Sequence, residues 1–221
     1  EEALAAGRAG RSFVVTTGTG SGKTESFLLP LLDAVLRRKR EGVTGVQAVL
    51  LYPMNALAND QLERLRRLLR ETGLPVSFAL YTGDSDASAQ NLREAPAEME
   101  RVKRSEIRSS PPDLLLTNFK QLDFLLVRKE DQKLFTPALR FLVLDEVHSY
   151  RGAQATEIAC LIRRLKIHAG LAAGQLLGVA TSATVAGTDA GESLARFVST
   201  LFGEEFNASD VIGETLVPPR H

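Results

Sequence analysis

An excess of either charge sign is missing from this sequence: Lys+Arg and Asp+Glu both number 27, for a formal net charge of +0. Bulk basic charge therefore does not argue for nucleic acid, and any surface for such a partner has to be local. Cysteine is nearly absent. The single Cys160 excludes an internal disulfide framework and suits a reducing compartment, so a cytoplasmic location is expected. No apolar run reaches the ~18–20 residues that span a bilayer; the strongest, around Phe27–Leu36, holds Pro30 and Asp33. No membrane is implied. A secretory signal is also lacking, and the chain opens at Glu1 rather than Met, as expected of a piece excised from a longer protein. What remains, 44% hydrophobic and 24% charged with 17 Gly and 9 Pro in 221 residues, is ordinary globular composition with room for one large domain or two small ones.

Short apolar runs alternate with longer amphipathic ones. The runs Phe13–Thr16, Val46–Tyr52, Val76–Tyr81, Leu114–Thr117, Phe141–Asp145 and Leu176–Thr181 have strand length and are mostly apolar throughout, which fits strands buried on both faces of a parallel sheet. Helical patterns fall between them at Gly22–Arg40, Asn55–Arg70, Asn118–Arg128, Ala153–His168 and Ala190–Phe202. The alternation predicts βαβ units and a doubly wound, mainly parallel α/β sheet flanked by helices. One domain over 1–217 is expected, with 218–221 beginning a linker. The segment Asp84–Pro112 is long, polar and charged, and reads as a solvated helix-and-loop excursion rather than a binding element.

Directly after the first strand stand Thr17, Gly18, Thr19, Gly20, Ser21, Gly22, Lys23, Thr24 and Glu25. Glycines let the backbone form a concave nest of N–H groups, and the following helix start adds its dipole, so this stretch is a candidate phosphate cradle. Lys23 can reach the terminal phosphates of ATP, and the Thr24 hydroxyl can ligate Mg²⁺. Thr17 departs from the strict pattern, which has glycine there. The fifth apolar run ends in Asp145-Glu146, two carboxylates at the C-terminal edge of the sheet, where ligands bind in such folds. Asp145 can hold Mg²⁺, and Glu146 can orient or deprotonate the attacking water. The strand-before, helix-after setting makes the cradle a specific signal; the carboxylate pair alone is weak and becomes strong beside it.

From Asp145 to His148 the sequence reads DEVH and resembles the first RecA-like lobe of a superfamily 2 helicase of the DEAD/DEAH-box type. The resemblance covers almost the whole chain. The stretch from Thr16 to Glu25 is similar to motif I, in which that superfamily commonly has a non-glycine residue at the first position. Tyr52–Gln61 resembles motif Ia, with Met54-Asn55 replacing a more familiar Thr-Arg; Gly83 matches a glycine loop, and Thr117-Asn118-Phe119 resembles motif Ib. Ser182-Ala183-Thr184 matches motif III. The wording is most similar to bacterial DNA helicases of repair and phage defence.

The resemblance implies an ATP-driven translocase or helicase, with DNA favoured over RNA as partner. Lys23 and Glu146 would be catalytic and residues 17–25 would bind ATP. Thr24 and Asp145 would hold the metal, while His148, Ser182, Ala183 and Thr184 would couple hydrolysis to movement. Pro53, Asn55, Gly83, Thr117 and Asn118 would contact nucleic acid. An adenine-recognising glutamine motif just upstream of Glu1–Ala9, and a second RecA-like lobe carrying arginine fingers, belong to the family pattern and are not found in this sequence.

Competing readings accompany several of these residues. Asn55 could simply cap its helix, and Thr117-Asn118 allows the same reading. His148 is expected to be a satisfied hydrogen-bonding residue rather than a metal ligand. The basic runs Arg37–Arg40 and Arg163–Lys166 read as solvated helix faces, and Cys160 as core. A P-loop ATPase without a nucleic-acid role and a catalytically idle scaffold are the alternative functions. The first lacks support because no transporter-type signature occurs, the second because Lys23, Thr24, Asp145 and Glu146 are all retained.

Overall fold

The computed structural model describes residues 1–16, 23–83, 98–183 and 190–213. Thr17, Gly18, Thr19, Gly20, Ser21, Gly22 and Thr184, together with residues 84–97 and 214–221, lie outside the described residues. Every expected apolar run forms a strand: β1 Phe13–Thr16, β2 Ala48–Tyr52, β3 Phe78–Tyr81, β5 Leu114–Asn118, β6 Phe141–Leu144 and β7 Leu177–Ser182. Two short strands join them, β4 Glu100–Arg101 and β8 Val211–Gly213. They make one eight-stranded sheet in the order β4-β3-β5-β2-β6-β7-β1-β8, and each pairing is parallel. The helices are α1 Glu2–Arg8, α2 Lys23–Arg40, α3 Asn55–Thr72, α4 Arg104–Ser109, α5 Phe119–Val127, α6 Gly152–His168 and α7 Ala190–Phe202.

The strands are apolar throughout because both sheet faces are covered. Phe13, Val15, Leu50, Leu116, Val143 and Val179 point to a core shared with α1, α2 and α3. Their neighbours Val14, Leu51, Leu115, Leu144 and Ala180 point to a second core with α4, α5, α6 and α7. The alternation within each strand is the two-residue period of the pleat. At Gly178 the helix side comes so close that a Cβ would stand 2.7 Å from both Phe202 and Phe206.

The charged excursion departs from expectation in its described part. Glu100 lies in β4 against β3, and Arg66 of α3 donates to both its carboxylate oxygens, at 2.8 and 2.6 Å. Ile107 of α4 is fully buried, and Arg108 donates at 2.6 Å to the buried Asp131. These charges face partners far away in sequence rather than water, so residues 98–112 are built into the fold. The short, charged β4 also closes the sheet edge against further pairing.

The basic runs are likewise tied down. Lys39 donates to Asp113 at 2.7 Å and to the Pro75 carbonyl, Arg38 to the Ala138 carbonyl, and Arg163 to the Ala159 and Thr200 carbonyls. Cys160 is exposed, not in the core. The inward stripe of α6 is taken by Ile158, Ala159, Leu161, Ile162 and Leu165, and the helical rotation turns residue 160 outward.

Candidate functional site

The strand order divides one sheet edge into two neighbourhoods. β7 lies between β1 and β6, so the C-terminal ends of these three strands adjoin. β5 lies between β3 and β2 and gathers a second set of strand ends. Chemistry-bearing residues crowd both sets.

In the first set, Lys23 opens α2 and its Nζ donates to Glu146 Oε1 at 3.2 Å. Thr24 is buried, and its Oγ1 accepts a hydrogen bond from Arg64 Nη1 of α3 at 3.3 Å; Glu25 is exposed. Asp145 is 6% exposed. The buried Thr181 hydroxyl donates to Asp145 Oδ1 and accepts the Glu146 backbone N–H at 3.0 Å, so one side chain of β7 sets both carboxylate residues. Tyr150 donates its hydroxyl to the Asp145 carbonyl.

Glu146 is the only non-glycine with positive φ among the described residues (φ 54). Such strain persists where surrounding contacts fix it and concentrates at functional sites. The two adjacent carboxylates have different partners, Thr181 for Asp145 and Lys23 with His148 for Glu146.

Burial pushes the Asp145 carboxyl above the ordinary aspartate range; the Thr181 hydrogen bond and the Lys23 charge pull the other way. Burial, with help from the charges of Asp145 and Glu146, raises the Tyr150 phenol as well. Among the described residues Asp145 forms no ion pair, because Lys23 goes to Glu146. A hard-oxygen carboxylate buried without a cation of its own, and a buried hydroxyl at Thr24 next to Lys23 in α2, fit Mg²⁺, which takes one or two protein oxygens and leaves the rest to water and phosphate. No cluster of three or more His, Cys, Asp or Glu forms a fuller metal cage among the described residues.

His148 Nδ1 accepts the Ala183 N–H at 3.1 Å and stands 3.2 Å from Glu146 Oε2. The nitrogen can accept from Ala183 when bare or donate to Glu146 when protonated, but not both. The stretch after β7 thus touches the stretch after β6 through His148. Ser182 is fully buried, and its Oγ has no hydrogen-bond partner among the described residues.

In the second set, Pro53, Asn55 and Asn118 stand together at the ends of β2 and β5. Asn55 does not cap α3. Met54 holds that position, without a side-chain hydrogen bond, and Asn55 is the first helical residue. Its Oδ1 instead accepts from Asn118 Nδ2 at 2.6 Å, while Asn118 Oδ1 caps α5 by accepting the Gln121 N–H at 2.7 Å. Among the described residues, no side chain therefore caps the first N–H groups of α3. Thr117 is buried and donates to the Tyr81 carbonyl at 2.6 Å, so its side chain ties β5 to β3 rather than facing a ligand. Gly83 is exposed, with open space where a Cβ would be, and its carbonyl accepts from Arg104 at 2.6 Å.

Thr181, Tyr150 and Arg64 were not legible as site residues. Each acts across 35 or more positions except Tyr150, whose bond to residue 145 is local but whose tyrosine carries no motif signal.

The family profile described as DEAD/DEAH box helicase matches residues 1–192. Among curated proteins, the Druantia protein DruE of Escherichia coli (strain UMEA 4076-1) is 29% identical, over 86% of this chain and 16% of its own length. The uncharacterized ATP-dependent helicase YprA of Bacillus subtilis (strain 168) is 30% identical, over 80% of this chain and 21% of its own. The chain thus spans about a fifth of the length of these relatives. The crystal structure of the DUF1998 helicase MrfA superposes with a TM-score of 0.72 at 27% identity, over 96% of this chain and 29% of that one. MrfA bound to DNA and AMPPNP gives a TM-score of 0.69 at 26% identity.

Proposed function

This chain belongs to the DEAD/DEAH box helicase family, and from that premise we propose that it is the first RecA-like, ATP-binding lobe of a motor that moves along DNA. The observation that carries the reading is the Lys23–Glu146 contact at 3.2 Å beside the buried Asp145, where the ends of β1, β6 and β7 meet. A cation, a metal-ligating carboxylate and a proton acceptor at one sheet edge are the parts phosphoryl transfer needs. MrfA, with its DNA and AMPPNP, supports both an adenine nucleotide and DNA as the ligands.

Each residue then has a task. Lys23 leaves Glu146 to neutralise the terminal phosphates of ATP. Glu146, freed, orients a water and accepts its proton, while Thr181 keeps its backbone in place. Thr24 and Asp145 would hold Mg²⁺, which when bound draws off the charge that develops on the phosphates; it would compete with Arg64 for the Thr24 hydroxyl. His148 would carry the state of the site to Ala183. The uncapped start of α3, with Asn55 and Asn118, offers N–H groups and amides to the phosphates of one DNA strand, independent of sequence. A second lobe in the parent protein would close over the nucleotide. With no helix among the described residues long and apolar enough to cross a membrane, and a single cysteine, the cytoplasm is the proposed setting.

Isothermal titration with Mg·ATP or a slow analogue tests the site. Lys23→Ala is expected to abolish binding, since Lys23 is the cation at the start of α2 that would neutralise the terminal phosphates. Unchanged affinity in the variant would remove the phosphate-site assignment.

A further inference from the structure

Beside the edge that carries Pro53, Asn55 and Asn118 lies a groove of about 560 Å³, walled by the starts of α3 and α5 and by α6. Its volume is in the range of about 300–1,000 Å³ in which proteins enclose small organic groups. The walls are of mixed kind. Met54, Phe119, Ile158 and Leu161 supply apolar surface, and Met54 is 58% exposed, a large apolar side chain left in solvent. The charges on the walls cancel: Lys120 and Arg164 stand against Asp123 and Glu157, and Arg164 donates to Asp123 at 2.5 Å.

That balance decides what the groove can hold. A track for the sugar-phosphate backbone needs an excess of positive charge, which these walls lack. A nucleobase is neutral and flat, with apolar faces and hydrogen-bonding edges, and the walls offer the matching set. Phe119 and the aliphatic side chains meet its faces. Gln154 and the amide nitrogen of Asn55, not used in the bond from Asn118, can meet its edge. The groove also shares Asn55 and Asn118 with the edge assigned to the strand, so a base leaving that strand reaches it without crossing other surface.

We propose that this groove is a base-binding subsite, which takes one nucleobase out of the strand bound at the ends of β2 and β5. The proposal rests on the reading that this edge binds a nucleic-acid strand. It adds a base contact, tolerant of sequence, to a site otherwise formed for phosphates.

The chain carries its own reporter. Cys160 is its only cysteine, is exposed and lines the groove. The rate of Cys160 modification by N-ethylmaleimide is measured with and without two saturating ligands. One is a thymidine oligomer of about 12 nucleotides, within the usual site sizes of about 4–16; the other is an abasic oligomer of equal length. Binding of each is followed separately by fluorescence anisotropy. The expected result is that both bind and that only the thymidine oligomer protects Cys160, by about tenfold at 90% occupancy, since the rate follows the open fraction. If both bind and neither protects, the groove holds no base and the proposal falls while the nucleic-acid edge stands. Equal protection by the abasic oligomer also overturns it, because the backbone then fills the groove. If neither oligomer binds, the nucleic-acid reading itself fails and takes this proposal with it.

Discussion

Asp145 is a carboxylate held where a negative charge is costly, and that cost has a measurable sign. Its folded-state pKa is raised by burial, so the folded protein keeps this proton to higher pH than the unfolded chain does. Stability from this group is therefore full below the ordinary aspartate range and is lost as pH rises through the folded value. Asp145→Asn removes the charge and keeps an oxygen for the Thr181 hydroxyl. The variant is expected to melt above wild type at pH 7, by about 2–4 °C for each kcal/mol regained in a chain of this size, and the gap should close on acidification. A variant that melts lower than wild type at pH 7 would show that the carboxylate is stabilising as it stands. Saturating Mg·ATP should raise wild type and not the variant, the usual trade between site and stability. Its neighbour Glu146 calls for a different change. Glu146→Gln keeps the shape but removes both the proton acceptor and the ion pair to Lys23. In the parent protein, ATP should bind at least as tightly as in wild type and turnover should fall by roughly 100-fold or more. Turnover that survived while binding collapsed would reverse the roles given to the two carboxylates.

At the scale of elements, the pair Arg66–Glu100 fastens β4 to α3, with side chains 2% and 4% exposed. Breaking a buried pair by deleting one partner leaves the other charge stranded and costs about 3–5 kcal/mol. Glu100→Ala is expected near the low end, because Glu63 still reaches Arg66 at the rim. A urea midpoint lowered with an unchanged slope would register it; a shift under about 0.5 kcal/mol, the range of ordinary surface changes, would mean that β4 is not held this way. The same pair explains why this part of the chain was illegible in sequence. Arg66 and Glu100 are each ordinary surface residues until a contact 34 positions long joins them. By contrast β1 and α7 have the expected bounds, because runs such as FVVT and a full amphipathic period are local signals. Of the site, Lys23, Asp145 and Glu146 were legible because strand-turn-helix and strand-end positions announce them. Thr181 was not, since only the adjacency of β7 and β6 gives its hydroxyl a purpose, and Cys160 was misplaced because its helix is apolar enough to hide which face it occupies.

For the whole molecule, one parallel sheet carries the proposed nucleotide site at the ends of β1, β7 and β6 and the proposed strand site at the ends of β2, β5 and β3, with β6 and β2 paired between them. The two sites share one edge. Lys23 and Arg64 are the cations the described residues place around Thr24 and Glu146, and both belong to this lobe. An opposing cation contributes about 10³–10⁵ in rate in related phosphate-transferring systems, and open solvent on the far side weakens each contact by screening. The most direct measurement is steady-state ATP turnover, with and without single-stranded DNA, by this chain and by its full-length parent. The account predicts turnover by this chain well below the usual range of about 1–10³ per second and unchanged by DNA, and DNA-stimulated turnover by the parent that Glu146→Gln removes. Turnover by this chain alone above about one per second, already accelerated by DNA, would contradict a motor that needs two lobes.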